Sequence, residues 1–123
     1  MEFCTSSAVA DFLREQIKNS DVEEFWVMAL NPLCRLINAR MLFRGTVDAC
    51  FIHPRDVFRF GLVHNATSLL VGHNHPSGSC YPSPEDVIIS RNLRQVGGLI
   101  QIPLLDHVIV TEDDHYSFAN TWK

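Results

Sequence analysis

In the run GHNHPSGSCYPSPED, residues 72–86, His73 and His75 flank a single residue, and Pro76 and Gly78 break the chain beyond them. Asp86 follows eleven positions after His75. Upstream, TSLLVG is a short apolar run of strand type. A strand ending at Gly72 delivers both histidines to the rim of a sheet. In extended backbone, residues i and i+2 point to one side, so the two imidazoles converge while Asn74 faces away. SPED then opens a helix, with Ser83 as cap, Pro84 at the first helical position and Asp86 at the reciprocal capping-box position. From the first turn, Asp86 can reach back towards the strand end. Two imidazoles and one carboxylate are the ligand set of a catalytic zinc, which keeps its fourth tetrahedral position for water. The same residues also have a plain structural use, since Ser-x-x-Asp is a helix cap in its own right.

The flanking segments supply the scaffold. SSAVADFLREQIKN, residues 6–19, places Val9, Phe12, Leu13 and Ile17 at helical spacing behind a serine cap. EEFWVMALN and RLINARMLF are short apolar runs separated by PLC, which reads as two neighbouring strands. HPRDVFRFGLVHNA starts a helix at Pro54, with Val57, Phe58, Leu62 and Val63 on one face. SPEDVIISRNLRQVGG is a helix closed by its two glycines, and LLDHVIVT and YSF are closing strands around the turn EDDH. Helix, two strands, helix, strand, helix, two strands is the order of an α/β fold, with a mixed sheet covered by helices.

Composition narrows the function classes. A chain of 123 residues has the size of one domain with one core, and 46% hydrophobic residues with 20% charge exclude a disordered or fibrous protein. No run approaches the roughly 20 apolar residues of a membrane span. The start, MEFCTSSAVADF, does not read as a secretory signal. Cys4, Cys34, Cys50 and Cys80 form no C-x-x-C pair, so reduced thiols and a cytoplasmic setting are expected. A net charge of −4 does not advertise nucleic-acid binding; Arg55 with Arg59, and Arg91 with Arg94, read first as solvated helix faces or local ion pairs, with a small basic patch as the other use.

H-x-H, ten residues and then Asp, with Ser83 three residues before Asp86, resembles the JAMM motif of MPN/JAB-domain metalloproteases. HNHPSG, PSPED, LLDHVIV and YSF, with FRGTV and HPRDVF upstream, are similar in order to the C-terminal domain of RadC, and the resemblance spans essentially the whole chain. It implies a cytidine-deaminase-like α/β/α fold, one RadC-like JAB/MPN domain over residues 1–123, and zinc held by His73, His75 and Asp86. Full-length RadC proteins carry an extra N-terminal helical region, for which this length leaves no room. The resemblance also calls for an upstream glutamate as general acid/base. The RadC pattern Glu-x-Phe assigns that role to Glu23, and the archaeal-type pattern Glu-Phe assigns it to Glu24. Neighbours in a strand face opposite sides, so only one of them can see the zinc.

The implied chemistry is hydrolysis of a peptide or isopeptide amide by a glutamate-activated, zinc-bound water, with the Ser83 hydroxyl stabilising the oxyanion. Two other readings stay open: a DNA-associated protein or metal-dependent nuclease, and a non-catalytic interaction module. Substrate and oligomeric state are not given by the sequence. Among the remaining polar residues, Asp106 and His107 are expected to support the site or the core, and Asn74 and Ser77 to shape the loop. His53 and His64 read as helix-end or surface groups. Cys80 reads as a free loop thiol, with a second use as a thiolate turned towards the metal.

Overall fold

The structure is a computed structural model, and it describes residues 2–3, 5–18 and 21–122. Five strands form one mixed sheet: β1 (Glu24–Leu30), β2 (Leu36–Arg44), β3 (Ser68–Asn74), β4 (Leu104–Val110) and β5 (His115–Ser117), in the order β2-β1-β3-β4-β5. Only β3 and β4 run parallel; every other neighbouring pair is antiparallel. Parallel neighbours need a long crossover, which here is α3 (Pro84–Ile100). The helices α1 (Ser6–Gln16) and α2 (Pro54–Val63) complete the set.

Alternation along the strands divides the core in two. Phe25, Val27, Ala29, Leu69 and Val71 pack with Val57 and Phe58 of α2 and with Ile89 and Leu93 of α3. Met28, Leu30, Leu70, Val108 and Val110 pack with Val9, Phe12 and Leu13 of α1 on the opposite face. The result is the α/β/α layering that the element order implies. No described helix is long and apolar enough to cross a membrane.

Several boundaries differ from the sequence expectations. The cap of α1 is Thr5, whose hydroxyl accepts from the Ala8 N–H; the helix ends at Gln16, and Asn19 lies outside the described residues. In α2 the buried side is Val57, Phe58, Phe60 and Gly61, while Leu62 and Val63 are exposed in the last turn. Strand β3 runs on to Asn74, because its ladder to β1 continues to His73 and its ladder to β4 to Asn74. Helix α3 passes through Gly97 and Gly98 to Ile100, where Gln101 takes the left-handed conformation. Gly97 serves packing: a Cβ there would sit 2.7 Å from the Ile102 carbonyl oxygen. Phe118 opens a 3-10 helix, Phe118–Thr121, and does not extend β5.

Candidate metal centre

The site forms where β3 ends and α3 begins. His73 is fully buried in the sheet, paired in register with Phe25 and stacked on that ring with centroids 5.9 Å apart. His75 continues the same face one step beyond the strand. Its backbone N–H donates to the Val110 carbonyl, and its Nδ1 lies 2.9 Å from the Ser79 carbonyl oxygen. A carbonyl oxygen only accepts, so His75 Nδ1 carries a proton, and Nε2 faces the site. Gly78, at φ 91°, makes the turn that brings Ser79 back, with its N–H bonded to the His75 carbonyl.

Asp86 arrives from the first turn of α3. The capping box expected there is present in full: the Ser83 hydroxyl accepts from the Asp86 N–H at 3.1 Å, and the Ser83 N–H donates to Asp86 Oδ2 at 2.9 Å. The carboxylate also meets both imidazoles, with His73 Nε2 3.1 Å from Oδ1 and His75 Nε2 3.0 Å from Oδ2. The two Nε2 atoms are 3.1 Å apart. Burial alone would raise the Asp86 carboxyl, but the bonds from His73 and His75 outweigh it and hold the group well below the usual carboxylate range.

Three donor atoms thus face a common point. An ion bound at about 2.1 Å in tetrahedral geometry separates its ligand atoms by about 3.4 Å, so these edges need open only slightly. His73, His75 and Asp86 could together hold a metal ion, and among the described residues no other group of three or more His, Cys, Asp or Glu side chains does so. Cys80 is half-buried and free but stands outside this group. His53 and His64 sit at the two ends of α2 and are not members of the group.

The two glutamates part company as neighbours in extended backbone must. Glu24 shares the α1 side of β1 with Trp26 and Met28. Its carboxylate accepts from the Trp26 indole N–H at 3.1 Å and lies 3.7 Å from Arg44. Glu23, one residue before β1, belongs to the opposite side, that of Phe25 and His73. Its carboxylate accepts from the Val47 N–H at 2.6 Å, and its charge is among the influences acting on His75.

Sequence reading missed how the Glu23 segment is held. The Asn74 side chain, turned to the other face, donates to the Val22 carbonyl at 3.0 Å and accepts from the Glu24 N–H at 2.7 Å. The residue between the two histidines thus clamps both neighbours of Glu23. Asp106 bonds the Ser117 hydroxyl at 2.6 Å and the Ala119 N–H at 2.9 Å, so it fastens the C-terminal segment to β4.

With this geometry in view, comparison with known proteins is direct. A family model described as the RadC-like JAB domain matches residues 3–122. The chain belongs to the RadC-like JAB domain family. Among its curated relatives are UPF0758 proteins of Finegoldia magna, 37% identical over 89% of this chain, and of Cellvibrio japonicus, 40% identical over 90% of it. A third, from Pseudomonas fluorescens, is 38% identical over 90% of the chain. The alignments take in 49%, 50% and 50% of those relatives, so the chain spans about half their length. In this RadC-like JAB domain, the mixed five-stranded sheet flanked by helices is consistent with the family's fold.

Proposed function

We propose that this RadC-like JAB domain is a zinc-dependent hydrolase that cleaves peptide or isopeptide amide bonds. The observation that carries the reading is the convergence of His73, His75 and Asp86 at 3.0–3.1 Å, on the same side of the sheet as Glu23. When bound, zinc supplies Lewis acidity, polarising a carbonyl and making water nucleophilic near neutral pH.

The chain's own residues account for the rest. Glu23 takes the proton from the attacking water and later hands it to the departing amine, a general base and then a general acid. The Ser83 hydroxyl uses a lone pair to accept from the Asp86 N–H, so its proton stays free to point outward at a developing oxyanion. One such donor contributes about 3 kcal/mol to the transition state. Asn74 fixes the backbone on both sides of Glu23, and so fixes where its carboxylate starts.

The test is metal analysis followed by an amide-substrate screen. The purified protein is expected to take up zinc, and chelation or His75→Ala to abolish hydrolysis. Unchanged hydrolysis by zinc-free His75→Ala protein would overturn the reading.

A second reading, association with nucleic acid, draws on a different place. Arg91 and Arg94 of α3, with Tyr116, Phe118 and Trp122, line a groove of about 680 Å³, and the Arg94 guanidinium lies 4.4 Å over the Trp122 ring. Binding through such a groove weakens with rising salt, because phosphate contacts release counterions. Salt-independent binding, or none, would remove this reading.

A further inference from the structure

His107 is used neither as a ligand nor as a proton donor in the proposed chemistry, yet it is fully buried against the site. It lies on β4 with Nε2 3.0 Å from His73 Nδ1, the ring nitrogen of His73 turned away from Asp86. Its ring stacks on Phe118 at 4.7 Å, meets the edge of Phe25 at 5.9 Å, and has no hydrogen-bond partner for Nδ1 among the described residues. Packing therefore sets the ring's orientation, and its one polar contact is with His73.

From this geometry we infer that His107 is a positioning residue for the metal centre: its Nε2 accepts the His73 Nδ1–H and so turns the His73 Nε2 lone pair onto the ion. The inference rests on the metal-centre reading. The proton inventory requires this direction. A neutral imidazole has one N–H, and ligation through Nε2 puts it on Nδ1. Among the described residues, the group facing that N–H is His107 Nε2, which must then be the acceptor. His107 accordingly keeps its own proton on Nδ1. In the opposite direction, His107 would donate, His73 would hold its proton on Nε2, and that proton would point at Asp86 Oδ1 in place of a metal bond. His75 gets the same service from the Ser79 carbonyl. A buried sheet face has no free carbonyl to offer His73, and a second imidazole takes its place.

The experiment compares zinc affinity, by competition with a chromophoric chelator, in the unmutated protein, His107→Phe and His107→Gln. Phenylalanine keeps the ring and its stacking but removes the acceptor; glutamine places an amide oxygen near the former Nε2. His107→Phe is expected to bind zinc more weakly by on the order of 10–100-fold, with His107→Gln recovering most of the loss. Nitrogen-15 spectra of the zinc-loaded, unmutated protein should show His107 as the Nδ1–H tautomer, a readout that does not depend on either variant folding. Unchanged affinity in a folded His107→Phe protein, or an Nε2–H tautomer for His107, would overturn the inference and leave the metal centre standing. No zinc uptake by the unmutated protein would overturn both.

Discussion

At the scale of single residues, His75 links acidity to metal. Burial draws its imidazole down, but the bonds to Asp86 and the Ser79 carbonyl, with the charges of Asp86 and Glu23, more than reverse this and leave it raised. A histidine raised on folding stabilises the metal-free protein below its unfolded value of about 6.5, and that contribution fades as pH rises through the raised folded value. Metal must displace the same proton, so zinc affinity runs the other way, climbing as pH rises towards the raised folded value and levelling off beyond it. Titrations by calorimetry at several pH values check both slopes, and a flat affinity would contradict the coupling. The glutamates separate equally cleanly. Glu23→Gln should keep zinc and lose on the order of 10²–10⁴-fold in turnover, whereas Glu24→Gln should keep turnover. The i, i+2 spacing made His73 and His75 legible in the sequence, and the capping pattern made Ser83 and Asp86 legible. The choice between Glu23 and Glu24 was not, because register alone decides which neighbour shares a face with His73. His107 was legible only as support for the site or the core; its contact with His73 depends on a strand pairing 34 residues away.

At the scale of elements, two positions in β3 hold the site's parts together. Gly72 lies between the histidine segment and α1. A Cβ there would collide with Leu13 Cδ1 and come within 2.8 Å of the Val108 carbonyl oxygen, which is backbone and cannot turn aside. Gly72→Ala should therefore destabilise the fold by about 1–3 kcal/mol through overpacking, measured by chemical denaturation. Asn74→Ala should have a similar cost, about 1–3 kcal/mol, because it leaves the buried Glu24 N–H without its acceptor. Its distinguishing mark is reduced turnover at unchanged zinc content. Element types were readable from period and punctuation; their limits were not. β3 continues past Gly72 because two neighbouring strands go on pairing with it, and α3 continues past Gly97 because that glycine is a packing surface. Leu62 and Val63 matched the apolar period of α2 but fall where no neighbouring layer covers them.

At the scale of the whole molecule, the layer order explains the location of the site. β3 has β1 on one side and its parallel partner β4 on the other, and the chain leaves its carboxyl end to enter α3. Crevices at the carboxyl ends of strands in α/β sheets are the usual ligand sites, and here the strand end, the loop and the first turn of α3 supply all three donor atoms. The order of elements implied this layering, whereas the strand order β2-β1-β3-β4-β5 emerges only from tertiary pairing. The capping box has a last consequence. Asp86 joins the start of α3 to the strand end, bonding Ser83 on one side and facing both imidazoles on the other. In small zinc domains the metal is the staple without which the chain unravels; here two apolar layers and a capped helix are expected to hold the chain together with or without an ion. Stripping the protein with a chelator should leave its far-ultraviolet circular dichroism unchanged, and collapse of that signal would show the ion to be part of the architecture after all.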